Sequence, residues 1–271
     1  MDSENGRIPS PIINDRFVML PISKADAPIT YSQIRACGYD LGKIAGDLSG
    51  QRVAPGQTAH LDPDLDSKSL PREARWRETF GQADKSASHL LANGVTVGDL
   101  FLFFGWYRKA DHVGGVFRYL PEPGFHAFFG WLQVGCVVDC SDFNGEDFKW
   151  AKTHPHFFGT FGKAFVAARE LKIGERKTGQ PGAGVFGWDP ALRLTMPGQD
   201  KRSVWKMPEW FFPHDGTFPM TYHGTAARYT KHAEFIEVRT VAKGQEFVIH
   251  TDQYPKAVPW ACRLVQKGCG G

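Results

Sequence analysis

The densest chemistry-bearing stretch of the chain is His60-Leu61-Asp62-Pro63-Asp64-Leu65-Asp66. On extended backbone, side chains two residues apart point the same way with Cα atoms about 6 to 7 Å apart, so Asp62, Asp64 and Asp66 could share one site. Carboxylates that close suit either a metal ion or an acid–base pair. For a glycosidic bond, one carboxylate stabilises an oxocarbenium-like sugar and orients water, while a second group helps the leaving group depart. Asp62, Asp64 and His60 are therefore the candidate catalytic residues. The competing reading makes the aspartates caps of turns and of the following helix, where carboxylates are favourable.

His154-Pro155-His156 is the second concentration. On a strand both rings would share a face, and imidazole with carboxylate suits zinc or iron. Yet there is no His-Glu-x-x-His, and no His-x-Glu with Pro-Cys-x-x-Cys, so neither a zincin nor a zinc deaminase is supported. The expectation is an enzyme without metal or cofactor, with His154 and His156 bonding to substrate or phosphate, or simply satisfying buried neighbours. A serine hydrolase elbow and a P-loop are also missing. Trp106, Tyr107, Trp131 and Gln133, at the ends of aromatic runs, could wall an extruded base and read its edge; core packing is the bland alternative.

These groups need elements to hold them. Residues 16–20, closed by Pro21, read as an early strand preceded by a loop. Pro71 suits a first helical turn, and Ala74, Trp76, Phe80, Ala83, Ala87 and Leu90 recur at roughly helical spacing before Asn93-Gly94. One long helix over 71–91 is expected. Residues 100–106 and 126–134 are short aromatic runs expected to pair as central strands, each with a Phe-Gly-Trp triplet whose glycine permits close backbone approach. The Gly, Lys and Arg of 172–187 predict an exposed loop, and its Lys172, Arg176 and Lys177, with Lys206, are the candidate phosphate contacts. Residues 235–239 alternate as a half-buried strand should, and 244–249 read as another.

Composition bounds the rest. With 42% hydrophobic and 23% charged residues the chain is not disordered, and 13% aromatics with 30 Gly and 18 Pro favour sheets and tight turns over a helical bundle. The expected class is α+β: one β-rich mixed domain over 1–271, with a central, partly barrel-like sheet, flanking helices and long ordered loops. A net charge of +3 is too small for a field around the whole molecule, so nucleic acid must meet a local basic patch. Cys37, Cys136, Cys140, Cys262 and Cys269 form an odd set with no Cys-x-x-Cys, which argues against a disulfide framework and for a reducing cytoplasm. No apolar run approaches the roughly 18 residues of a membrane span.

Several segments also fall in an order that short motifs alone would not produce. They are residues 9–12 (Pro-Ser-Pro-Ile), the acidic loop 60–65, Phe80-Gly81-Gln82, His89-Leu90, and 98–106. Further on come 129–134, His154-Pro155-His156, Tyr222-His223 and 244–248. Together they resemble the third type of nucleotide-modification-associated domain, from about residue 8 to about residue 260. The resemblance implies work on modified nucleotides in phage and mobile defence loci. Within that setting the chain is similar to prokaryotic DNA glycosylases that remove glucosylated hydroxymethylcytosine from invading phage DNA. It thus implies a hydrolase that flips a hypermodified cytosine from double-stranded DNA and leaves an abasic site. No catalytic motif transfers with it, so the pocket is assigned on residue chemistry: Gln82, Trp106, Tyr107, His126, Trp131, Gln133, Tyr222, His223 and Glu246 hold the base. A non-catalytic reader and an enzyme that elaborates a base are the competing functions.

Overall fold

The structure, a computed structural model, describes residues 8–25, 27–142 and 147–268. The chain begins with four short strands, β1 (Ser10–Ile13), β2 (Arg16–Phe17), β3 (Arg35–Ala36) and β4 (Tyr39–Asp40), then the helix α1 (Leu41–Ser49). The Asp40 carboxylate accepts the Lys43 N–H to start α1, and Gly50, at φ +65°, ends it. After the acidic loop come β5 (Thr79–Gln82) and α2 (Asp84–Ala92). The long strands β6 (Leu100–Val113) and β8 (Phe125–Asp139) follow, with β7 (Val116–Tyr119) folded back on β6. The β6–β7 turn uses Gly114 and Gly115 at φ +60° and +82°, the pair of positive values that a tight hairpin turn requires. The rest is α3 (Pro155–Phe158), β9 (Lys163–Ala167), β10 (Glu170–Ile173), β11 (Arg176–Pro181), β12 (Ala183–Val185), β13 (Val204–Met207), β14 (Tyr229–Lys231), β15 (Ile236–Arg239) and α4 (Ala257–Gly268).

The main sheet runs β2-β1-β6-β8-β9-β5, with β12 added on β8 and β7 on β6. β1 lies parallel to β6 and the other pairings are antiparallel, so the sheet is mixed; it is not closed into a barrel. The molecule is thus the expected β-rich α+β body. The first ten residues of β8 are all buried, which is why this stretch is mostly aromatic and aliphatic, broken by His126 and Gln133, rather than alternating. Its Gly130 serves close approach as expected, since a Cβ there would stand 2.7 Å from the Gly184 carbonyl oxygen on β12. The largest core cluster gathers Phe80, Phe103, Phe129, Trp131, Phe165 and Trp205 around this sheet, and a second packs α1 against the N-terminal strands.

Four expectations need correction. The flank before residue 16 is a strand, β1, buried beside β6. The helix expected over 71–91 is only α2; Thr79–Gln82 is instead fully buried and hydrogen-bonded to β9, and Arg75 and Asp84 have positive φ. Tertiary pairing wins there over a helical spacing of apolar residues. Residues 172–187 form the β10–β11 hairpin and β12 rather than a loop; β11 is polar and largely exposed, so no apolar alternation announces it. Residues 235–239 do hold a strand, β15, but 244–249 has no strand structure and is tied by Val248 N–H donating to Thr221 Oγ1 at 2.9 Å. No helix among the described residues is long and apolar enough to cross a membrane. Cys37, Cys136, Cys140 and Cys262 are free thiols; Cys269 lies outside the described residues.

Candidate functional site

The acidic loop delivers its aspartates to three different environments. Asp62 is enclosed completely: Oδ1 accepts the Gly81 N–H at 2.9 Å and lies 3.5 Å from His154 Nε2. Its Oδ2 lies 3.4 Å from His156 Nε2 and 3.9 Å from His60 Nε2. The His156 ring fits because position 81 lacks a side chain; a Cβ there would stand 2.2 Å from the ring. His154 precedes the first turn of α3, so the His-x-His pair sits at a helix start, with Pro155 opening the helix, and not on a strand. Burial works to raise the Asp62 carboxyl, but the facing His154 and His156 rings outweigh it and hold it below the usual carboxylate range. Burial pushes His60 down to about 4, against the pull of the Asp62 charge. His154 and His156 are buried with Asp62, so neither faces solvent as a phosphate contact would.

Asp64 is buried beside them but committed elsewhere. Arg72 donates Nη1 to Oδ2 at 2.7 Å and Nη2 to Oδ1 at 2.5 Å, while its guanidinium lies 4.0 Å from the Trp76 ring centre. A carboxylate with both oxygens in a buried ion pair holds the loop and has no free edge for a substrate. Asp66 is exposed and accepts the Lys68 N–H at 2.8 Å, which is the turn-capping role.

On the other face of β5 lies a cleft of about 710 Å³. Strand alternation sends Phe80 and Gln82 into it while Gly81 faces His156. Phe104, Trp205, Phe247 and Trp260 line it; Phe104 and Phe247 stack with ring centres 5.9 Å apart and planes 12° apart, and Trp205 meets Phe104 edge-on at 5.0 Å. A carboxylate stands on this apolar wall. Gln82 Nε2 donates to Glu246 Oε1 at 2.8 Å, and Ser86 Oγ, in the first turn of α2, donates to Oε2 at 3.0 Å. Two donors fix the carboxylate's orientation. Of the expected pocket residues the cleft therefore brings together Gln82, Gln133 and Glu246.

Gln133 is a brace rather than a reader. Its Nε2 donates to the Gly98 and Lys172 carbonyls and its Oε1 accepts the Lys172 N–H, which ties the β10–β11 hairpin to β8. The other expected base contacts lie outside the cleft. Tyr107 packs edge-on against Phe17, and Trp131 stacks on Phe186 with its Nε1 donating to the Pro181 carbonyl. Trp106 carries the Arg202 guanidinium 4.2 Å from its ring centre. His126 is fully buried and accepts the Trp205 Nε1–H at 3.0 Å; burial pushes it down to about 3. His223 is buried edge-on to Phe247, and Tyr222 is exposed and stacked on His89. Lys172 lines the cleft mouth, with Arg176 and Lys177 on the adjoining exposed hairpin, where Lys177 also pairs with Glu170 at 3.1 Å. Lys206 points away, because its neighbours Trp205 and Met207 take the cleft side of β13. Phe104, Trp205 and Phe247 were missed as ligand walls; the apolar step beside Glu246 was their one local signal.

No curated protein and no solved structure matches the chain. The family model described as nucleotide modification associated domain 3 matches residues 1–250, which includes the acidic loop, Glu246 and most of the cleft lining, while Trp260 and α4 lie beyond it. A role tied to nucleotide modification goes with it, and the chain belongs to the nucleotide modification associated domain 3 family.

Proposed function

We propose that the cleft receives a nucleobase carrying a bulky modification, turned out of its DNA stack, and that the protein hydrolyses its N-glycosidic bond. The observation that carries this reading is Glu246, a carboxylate held by Gln82 and Ser86 on a wall of aromatic rings. A cleft of about 710 Å³ lies within the range of roughly 300 to 1,000 Å³ that encloses a ligand larger than a bare base, so a glucosylated hydroxymethylcytosine has room. Phe104, Phe247 and Trp205 offer faces and edges for stacking, and the Lys172, Arg176 and Lys177 side of the hairpin offers charge for the backbone of double-stranded DNA.

In this reading Glu246 stabilises the oxocarbenium-like sugar and takes a proton from the attacking water. Oxygen from water bonds to the anomeric carbon, the carbon–nitrogen bond breaks with its electron pair passing to the base, and the released proton ends on the free base. An abasic sugar remains. The carboxylate role passes from Asp62 and Asp64 to Glu246, since the first is closed in and the second is spent on Arg72. The test incubates pure protein with duplex DNA containing either glucosylated hydroxymethylcytosine or plain cytosine, reading free base by mass spectrometry and abasic sites by alkali cleavage. Free modified base from the first substrate alone is expected. Tight selective binding with no product would make the protein a reader, and a mass gain in the DNA would make it an enzyme that elaborates bases.

A further inference from the structure

We propose that His60, Asp62 and His156 hold a divalent transition-metal ion of the zinc class, in a closed site that pins the acidic loop to α3. One ligand atom from each of these three buried residues lies within 4.8 Å of the other two. In a tetrahedral zinc site with bonds of about 2.0 to 2.1 Å, neighbouring ligand atoms stand roughly 3.3 Å apart. The 3.4 Å between His156 Nε2 and Asp62 Oδ2 matches that edge, and His60 Nε2, at 3.9 Å from the same oxygen, is a small adjustment away. These separations are too long for a charge-assisted hydrogen bond, which runs about 2.7 to 2.9 Å.

The proton on His156 points the same way. Its Nδ1 lies 3.0 Å from the Phe161 carbonyl oxygen, which only accepts, so Nδ1 carries the hydrogen. His156 then turns Nε2 toward a carboxylate oxygen that has no hydrogen-bond partner among the described residues. A histidine whose other nitrogen bonds a backbone carbonyl is set up as a metal ligand. His154, 3.5 Å from the other Asp62 oxygen, is a positioning residue for that carboxylate. None of the three ligands lines the cleft and all are at most 4% exposed, so the site is shut off from whatever enters the cleft. This departs from the metal-free expectation of the sequence and stands apart from the base-excision reading.

The test is metal analysis of tag-free protein by mass spectrometry, followed by stripping with a chelator and reloading with zinc or cobalt(II). About one ion per chain is expected. Stripping should lower Tm, reloading should restore it, and cobalt should give visible bands of a centre with nitrogen and oxygen ligands. Asp62→Asn and His156→Gln should weaken binding on the order of tenfold or more, whereas Glu246→Gln should keep the ion. Wild-type protein that takes up neither metal and melts at one temperature with or without them would overturn the proposal, whether or not the variants fold. Full loading that survives Asp62→Asn would overturn it too, by placing the ion elsewhere.

Discussion

The two faces of β5 show how one strand can serve opposite ends. Behind Gly81 is a packed cluster of three imidazoles around one carboxylate, closed to water and built from residues nearly a hundred positions apart. In front of Phe80 and Gln82 is a cleft whose carboxylate is held by two side-chain donors on a segment without regular structure. Both regions pair a carboxylate with polar partners. Enclosure separates them: the cluster can fix structure but admits no substrate, while the cleft can admit a ligand.

The sharpest break of this contrast is Glu246→Gln. It keeps size and a polar contact but removes the charge, so excision in single-turnover assays should fall about 10² to 10⁴-fold while DNA binding and Tm hold. A comparable loss of folding stability with activity intact would reverse the assignment of the two regions. Next in size is Arg72→Met, on the closed side. It leaves the Asp64 carboxylate buried and alone, and urea denaturation should show a loss of about 3 to 5 kcal/mol, with activity per folded molecule unchanged.

A pH series comes third. His126, buried behind the cleft wall, is pushed down to about 3 by burial, against about 6.5 in an unfolded chain. Its folded pKa is depressed, so the unfolded state binds the proton first as pH falls. The contribution is whole above pH 6.5 and drains away toward pH 3, by about 1.4 kcal/mol per pH unit. Urea midpoints at pH 7 and pH 4.5 should show that slope, and His126→Asn should flatten it; equal slopes in both proteins would remove His126 from the account. The smallest effect is expected at the cleft mouth. Arg176→Ala and Lys177→Ala should each weaken DNA binding a few-fold and reduce the salt slope by about 1, without altering preference for the modified base.

What the sequence made legible follows physical reach. β8 announces itself because a strand buried on both faces needs a nearly unbroken apolar run, β6 because its first seven residues are apolar and at least half-buried, and β15 because alternate burial needs alternate residues. β5 stays hidden: Trp76, Phe80 and Ala83 mimic a helical stripe, and only pairing with β9 reveals Thr79 and Gly81 as strand. β11 stays hidden because its polar face meets water on both rims. The acidic loop was visible as chemistry, but not the split that sends Asp62 to the histidines and Asp64 to Arg72, since no spacing rule links position 62 to 154 and 156. Glu246 was visible only as one polar residue in a matched stretch. Its partners Gln82 and Ser86 are 164 and 160 residues away.

The backbone N–H of Gly81 is spent on Asp62, and the side-chain Nε2 of Gln82, the next residue, is spent on Glu246. A guest that draws Glu246 outward therefore pulls on the same short span that anchors the imidazoles. Arrival in the cleft should then be audible at a distance, as displaced ring-proton resonances of His154 and His156 in a spectrum recorded during titration, although neither ring touches the guest.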